Sequence, residues 1–190
     1  MAVDPEEQAL LERSAAGDVA AFNPIVERYR SRAYHYALSL MRNEHDALDL
    51  SQDAFARAYR WLDKFDRSKA FLPWFLRLLR NLCFNALDKR KRQPERPGSE
   101  QGQVALQLIP SSMPRPDAGI VRQERADSVR AALQELSAEH REVVFLRHFE
   151  DMAYEQIAQV LDIPVGTVMS RLFNGRRKLA QILKRSMKEG

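Results

Sequence analysis

The sequence has a single cysteine among its 190 residues, Cys83, so no disulfide can form within the chain. Cys83 falls among apolar residues at helical spacing, where a buried small side chain is expected. No run of 18 uncharged apolar residues occurs, which argues against a membrane-spanning helix. The opening residues, MAVDPEEQALLERSAAGD, are acidic and lack an apolar stretch, so no signal peptide is expected. Strand-type alternation is missing, which leaves an all-α fold. Gly-rich phosphate loops, GxSxG and CxxC are missing too. The four histidines, His35, His45, His140 and His148, show no metal-ligand spacing. Asp46, Asp49 and Asp53 share a face, but no oxygen-rich loop with a turning glycine accompanies them. We therefore expect no enzyme, no cofactor, no metal, and a cytoplasmic location.

What is present is charge, unevenly placed. The formal net charge is +4 and the pI about 9.4, which is compatible with a nucleic-acid partner without establishing one. Val165 to Lys188 holds seven Lys/Arg and no Asp/Glu, whereas Asp46 to Asp53 holds three Asp and no cation. Such a chain is suited to touching two different partners.

Texture divides the chain into three. Helical periodicity runs through 5–16, 18–41, 44–62 and 71–91, and again through the last third, where about four more helices are expected. Between them, 93–125 holds five of the nine prolines and three of the seven glycines. Proline removes a donor and fixes φ, so no continuous helix forms there. We expect two small helical domains, 1–92 and 126–190, joined by a Pro/Gly-rich flexible linker over 93–125.

Two helices of the first domain carry distinctive outer faces. On a wheel of 44–62, Ala47, Leu50, Ala54, Phe55, Ala58, Trp61 and Leu62 gather on one side, with Asp46, Asp49, Gln52, Asp53, Arg57 and Arg60 opposite. The polar face is either a solvated surface or a docking surface for a basic partner. The stretch FLPWFLRLLRNLCFNALDKRKR (71–92) places Leu72, Phe75, Leu78, Leu79, Leu82, Cys83, Ala86 and Leu87 on one arc. Trp74, Arg77, Arg80, Asn81, Phe84, Asn85, Asp88 and Arg92 occupy the other, and Lys89, Arg90, Lys91 and Arg92 end it. Arginines facing hydrocarbon would each cost roughly 2.5–3.5 kcal/mol, so this is an amphipathic globular helix. Arg and Asn can bond phosphates and base edges, and aromatics can stack on unpaired bases. The alternative is that Trp74 and Phe84 pack on a neighbouring helix and the cations are merely solvated.

YEQIAQVLDIPVGTVMSRLFNGRRKL (154–179) has the features of a helix-turn-helix. Ala158 permits close approach, Asp162-Ile163-Pro164 makes the break, and Asp tolerates the left-handed conformation such a turn uses. Val168, Leu172, Leu179 and Leu183, with Gly175, supply the inner stripe of the second helix. Thr167, Ser170, Arg171, Asn174, Arg176, Arg177 and Lys178 lie elsewhere on it, hydrogen-bonding types suited to a major groove. A helical hairpin with a basic surface is the other reading. Upstream, Ser137 is positioned to cap a supporting helix.

Taken as a set, these motifs resemble the bacterial RNA polymerase sigma factors of the extracytoplasmic-function (ECF) type, in the sigma-70 family. GDVAAFNPIVERY is similar to the family's opening helix, and DALDLSQDAFARAYRWLDKF to its acidic second motif. Residues 71–92 resemble the helix that handles the −10 element, and LQELSAEHREVVFLRHFEDMAYEQIAQVLDIPVGTVMSRLFNGRRKL the −35-reading domain. The resemblance implies a sigma-2-like four-helix domain and a sigma-4-like helix-turn-helix domain. It implies that the face bearing Asp46, Asp49, Gln52, Asp53 and Arg57 docks on core RNA polymerase, on the clamp helices of β′, with β also a partner. It implies that Trp74, Arg77, Arg80, Asn81 and Asn85, with the loop 63–70, open the −10 element and hold the melted non-template strand, while Lys89 to Arg92 contact backbone. The linker would thread toward the RNA channel. Thr167, Ser170, Arg171, Asn174, Arg176, Arg177 and Lys178 would enter the duplex at −35. An anti-sigma factor is the further partner implied.

The sequence departs from the family pattern at Ser51, where an apolar residue is common, at Met169 and Asn174, where cations are frequent, and at Pro24. An autonomous helix-turn-helix regulator would leave the aromatic-basic face of 71–92 without a role. A mimic that titrates an anti-sigma factor would not need groove-facing side chains.

Overall fold

The computed structural model describes residues 4–92, residue 129 and residues 131–189. The expected linker lies outside the described residues. Those that are described are helical or in short turns, with no strand among them. They divide between two compact units, the first holding α1 to α4 and the second α5, α7 and most of α6, as defined below.

In the first unit, α1 (Pro5–Ala15) begins where Asp4 accepts from the Glu6 N–H at 3.0 Å and Pro5 occupies a position that needs no donor. A continuous helix over 18–41 does not form. Asp18 instead caps a 3-10 turn, Val19–Phe22, and α2 (Asn23–Met41) starts with Pro24 in its first turn. The missing N–H of Pro24 is harmless at a helix start and would break a helix interior. α2 stops at Arg42, which takes a left-handed φ of 56°. α3 (Glu44–Arg60) starts where Asn43 accepts from the Asp46 N–H at 3.0 Å. After a 3-10 turn at Leu62–Lys64, α4 (Phe71–Arg92) begins with Pro73 in its first turn.

The core of this unit is aromatic. Phe71, fully buried, has ring centroids around it at 5.7 Å (Tyr29), 5.7 Å (Phe65), 5.5 Å (Phe75) and 5.6 Å (Trp74). Phe55 stacks on Phe75 at 4.5 Å. Each such side chain contributes roughly 1.5–3 kcal/mol by leaving water. Ala33, Ala37, Ala47, Ala54 and Ala58, all at 0% exposure, let α2 and α3 approach closely. Cys83 is buried. Trp61, expected on the apolar side of α3, is exposed instead, because the helix ends at Arg60 and the chain turns there. Ser51 is buried, and its hydroxyl donates to the Leu48 carbonyl at 2.8 Å, so a polar side chain stands there without an unmet donor. A second buried polar group, Glu7, accepts from the Tyr29 hydroxyl and from Arg28 Nη1 at 3.3 Å, fastening α1 to α2. Burial, and then the bond to Glu7, push the Tyr29 phenol well above its ordinary value.

In the second unit, residues 131–135 are helical and precede α5 (Ala138–His148), α6 (Tyr154–Leu161) and α7 (Val165–Glu189). Val143, Val144, Phe145, Leu146, Ile157, Val168 and Leu172 are buried. Ser137 stands at the N-cap of α5 but makes no side-chain bond to the helix backbone; its hydroxyl lies 2.7 Å from His140 Nδ1. α6 is capped from within, by Gln156 Oε1 accepting from the Ala153 N–H at 3.0 Å. Between α6 and α7, Asp162 takes a φ of 57°, the Ile163 N–H returns to the Ala158 carbonyl at 3.2 Å, and the Pro164 carbonyl accepts from the Thr167 and Val168 N–H groups at 2.9 and 3.1 Å. The sequence places a left-handed aspartate at this break, and that is what forms.

Candidate nucleic-acid interface

The long axis of α4 carries a polar strip at spacings of three and four. Arg77, Asn81, Asn85 and Lys89 are exposed along it and Trp74 heads it, half-buried. From Trp74 to Lys89 the strip runs about 22 Å at 1.5 Å per residue. Trp74 does pack, with centroids 4.9 Å from Phe65 and 5.6 Å from Phe71, yet part of its ring remains open. The residues beneath it hold the indole in place. Phe84 is half-buried as well, and the Arg80 guanidinium lies over its ring at 4.5 Å, a cation–π pair that fixes the arginine. Asn85, Asp88, Lys89 and Arg92 line a hollow of ≈ 230 Å³.

The loop before α4 is structured. Asp66 Oδ1 accepts from the Ser68 N–H at 3.1 Å and the Ser68 hydroxyl at 2.6 Å, and Lys69 pairs with the same carboxylate at 3.3 Å. The Ser68 hydroxyl and N–H, then Lys69, hold the Asp66 carboxyl below its ordinary value. Phe65, buried, anchors the turn to the core beside Trp74.

On α3, Asp49 and Gln52 are exposed, and Asp53 is bound two-handed by Arg57, Nε to both carboxylate oxygens at 3.1 and 3.0 Å. Asp46, on the same side of the helix, is less open. Its carboxylate is paired with Arg90 of α4 at 2.6 Å and is largely covered. One residue of the acidic set and one of the basic set thus hold each other, bracing the start of α3 against the end of α4. Lys91 reaches Asp88 at 3.8 Å. Sequence reasoning missed Leu48, 47% exposed, on the same outer side of α3 as Asp49 and Gln52. Its signal was that it fell outside the apolar arc of the wheel.

On α7, Val168 and Leu172 face inward, while Leu179 and Leu183 are half-buried. Gly175 sits where α7 crosses α5. A Cβ there would stand 3.0 Å from Val144 Cγ2 and 3.3 Å from the His140 carbonyl oxygen. Ser170, Arg177 and Lys178 are exposed, and Thr167 and Asn174 half-buried, around the outward side. Arg171 lies on the flank over the start of α5, its guanidinium 3.0 Å from Glu139. Arg176 lies on the opposite flank, over the end of α5, where its Nε donates to His148 Nε2 at 3.1 Å. That bond requires the ring to be unprotonated at Nε2. Burial first, then Arg176 and Arg147, keep His148 below the ordinary histidine range. Sequence reasoning also missed Met169 and Phe173, 54% and 66% exposed. Their signal was apolar residues outside the inner stripe, one helical turn apart.

Among the described residues, no group of three or more His, Cys, Asp or Glu is placed to hold a metal ion, and no helix is long and apolar enough to cross a membrane.

Two family models match the chain, sigma-70 region 2 over residues 25–93 and sigma-70 region 4 over residues 126–179. The chain is 33% identical to the RNA polymerase sigma-H factor of Pseudomonas aeruginosa, over all of both sequences. It is 33% identical to the ECF RNA polymerase sigma-E factor of Escherichia coli K12, covering 91% of this chain and 92% of that one. Among solved structures it resembles the sigma factor RpoE of Bartonella quintana, crystallised with the anti-sigma factor NepR, with a TM-score of 0.67, 25% identity, and coverage of 86% and 96%. Two region models in sigma-70 order, with relatives similar over nearly their whole length, place this chain among the extracytoplasmic-function RNA polymerase sigma factors of the sigma-70 family.

Proposed function

We propose that this sigma factor binds core RNA polymerase in the cytoplasm, directs it to promoters by recognising −10 and −35 elements, and is held in check by an anti-sigma protein. Residues 1–92 would form the polymerase and −10 domain, 93–125 the linker and 126–190 the −35 domain. One observation carries the −10 assignment: α4 presents Trp74, Arg77, Asn81 and Asn85 on one strip, with the indole backed by Phe65 and Phe71. Duplex reading alone gives no role to an aromatic platform, whereas a protein that traps unstacked bases needs one. Arg80, Lys89, Arg90, Lys91 and Arg92 would contact backbone phosphates beside it. Thr167, Ser170, Asn174, Arg177 and Lys178 would enter the −35 major groove, with Arg171 and Arg176 at its two walls. Asp49, Gln52, Asp53 and Arg57 would meet β′. Their carboxylates suit a basic surface, and exposed Leu48 gives that contact an apolar centre.

The test is reconstitution. Purified protein added to core polymerase should yield run-off transcripts from specific genomic promoters, and protein alone should not hold the same DNA. Core binding without open-complex formation on any promoter would overturn the reading in favour of a mimic.

A further inference from the structure

Which bases α7 can read follows from what its first turns present. A recognition helix meets base edges with its N-terminal residues. A major groove about 12 Å wide takes roughly eight residues of helix, which from Thr167 ends near Asn174. Between Val165 and Asn174 the chain holds one cation, Arg171. Its side chain is 24% exposed, and Glu139 holds its guanidinium at 3.0 Å, on the flank over the start of α5. Arg177 and Lys178 lie past that width, at the level of the phosphates. Guanine offers two acceptors, O6 and N7, and Arg or Lys is its commonest ligand. In this stretch the one such ligand is tied to Glu139. The Ser170 hydroxyl donates to the Thr167 carbonyl at 3.0 Å, so toward the groove it turns lone pairs, which suit a base amino group. The Asn174 amide holds a donor beside an acceptor, the pattern that matches adenine N7 and N6. Met169 and Phe173, about one turn apart, are 54% and 66% exposed. The apolar group a major groove shows is the thymine C5-methyl.

We propose that the −35 element read by α7 is built mainly of A·T pairs. Asn174 takes an adenine edge with a pair of hydrogen bonds, and Ser170 accepts from an adenine amino group. Met169 and Phe173 cover thymine methyls. Taking those methyls and side chains out of water together gives the two exposed apolar residues a function that a solvated face does not. An Arg or Lys in place of Met169 or Asn174 would turn the same frame toward guanine. The proposal rests on the sigma-factor reading and names the base class of its −35 site.

The test uses holoenzyme reconstituted from the full chain and core polymerase, on a promoter pool randomised over the −35 element. Sequences selected by run-off transcription should be A·T-rich there. Asn174→Arg should turn one position from adenine to guanine, by roughly tenfold or more in relative use, and leave the other positions as they were. A damaged fold cannot produce such a change of identity at a single position. On one selected promoter, each −35 thymine is then replaced in turn by uracil, which removes the C5-methyl alone. At least one replacement should cut wild-type occupancy about fourfold, the effect of one buried methyl. M169S/F173S, checked by circular dichroism for an intact helical fold, should occupy the thymine and uracil promoters equally. Selected elements rich in G·C would overturn the proposal, and their loss in Arg171→Ala would assign the guanine to Arg171. An Asn174→Arg variant that keeps the wild-type preference would overturn it too. So would wild-type occupancy indifferent to every uracil. Failure of the sigma-factor reading is separable, because wild-type holoenzyme would then give no run-off from any member of the pool, and the proposal would fall with it.

Discussion

α4 and α7 are both long amphipathic helices with a polar outer strip, yet they are held in place by opposite means. α4 is fixed by bulk, with Phe71 fully buried among Tyr29, Phe65, Trp74 and Phe75. α7 is fixed by the absence of bulk at Gly175, where α5 comes within contact of the helix. The outer faces differ accordingly. On α4 the aromatic at the surface is a half-buried extension of the core. On α7 the apolar residues outside the inner stripe, Met169 and Phe173, stand away from it in solvent. The first arrangement backs its surface aromatic with core, and the second leaves its apolar side chains in solvent.

The sharpest way to break the contrast is to remove bulk from one helix and add it to the other. Phe71→Ala should destabilise the first unit by about 3–5 kcal/mol, the range for deleting a buried aromatic. Gly175→Leu should destabilise the second by about 1–3 kcal/mol, since the His140 carbonyl is backbone and yields little. Gly166→Ala, on the same helix but with open space around it, should be neutral or stabilising by up to about 1 kcal/mol. Urea titrations read these differences. Equal tolerance at Gly166 and Gly175 would remove the close-approach account of α7.

Next in size is the functional use of the platform. Trp74→Ala should slow open-complex formation roughly 5- to 150-fold, the equivalent of about 1–3 kcal/mol for one base stack. A promoter pre-melted over the −10 element should recover part of the loss. A variant as fast as wild type on duplex DNA would reduce Trp74 to a packing residue.

Much of this was legible beforehand, for identifiable reasons. The wheel of 71–92 placed Leu72, Phe75, Leu78, Leu79, Leu82 and Cys83 inward, and they are buried, because an amphipathic helix hides its apolar arc. Ala86 and Leu87, placed with them, are half-buried toward the helix end, and Leu76, which the wheel did not assign, is buried too. Left-handed Asp162 could be named because few L residues accept that conformation. What stayed hidden depends on neighbours distant in sequence. Asp46 and Arg90 are 44 positions apart, and nothing in either motif announces that they pair. Arg171 likewise pairs with Glu139 of another helix, 32 positions away, which its own motif does not announce. Trp61 was misjudged because a wheel carries on past the point where the helix ends.

The Asp46–Arg90 tie gives a smaller effect. Asp46→Asn and Arg90→Gln, singly and together, should show a coupling of about 0.2–1 kcal/mol in stability, as for a partly exposed ion pair. Salt should reduce it. If Arg90 also contacts DNA backbone, Asp46→Asn should raise affinity for single-stranded −10 oligonucleotide in low salt. Arg90→Gln should erase that gain. Additive stabilities would mean the pair contributes nothing.

The smallest effect separates the two units by acid. In the second unit, burial first, then Lys178 and Arg171, hold His140 below the ordinary histidine value against an opposing pull from Glu139. His148 is held low by burial, then by Arg176 and Arg147. The unfolded chain therefore binds more protons than the native one, and this stability is lost as pH falls from about 6.5. In the first unit three carboxylates are displaced: Asp4 is held low by Arg28, Asp18 by Arg13 and Asp66 by Ser68. Their contribution is present above the ordinary carboxylate value and is lost only below about pH 4. Between pH 7 and 5 these displaced groups soften the second unit and not the first. Both tryptophans, Trp61 and Trp74, lie in the first unit, so fluorescence follows that unit and far-ultraviolet circular dichroism follows both. In urea at pH 5 the dichroism should acquire an early phase that fluorescence does not show, and His148→Gln should shrink it. Because both imidazoles are partly open to water, the shift should be the most modest of the four. A fluorescence transition that moves first would reverse the assignment of acid sensitivity.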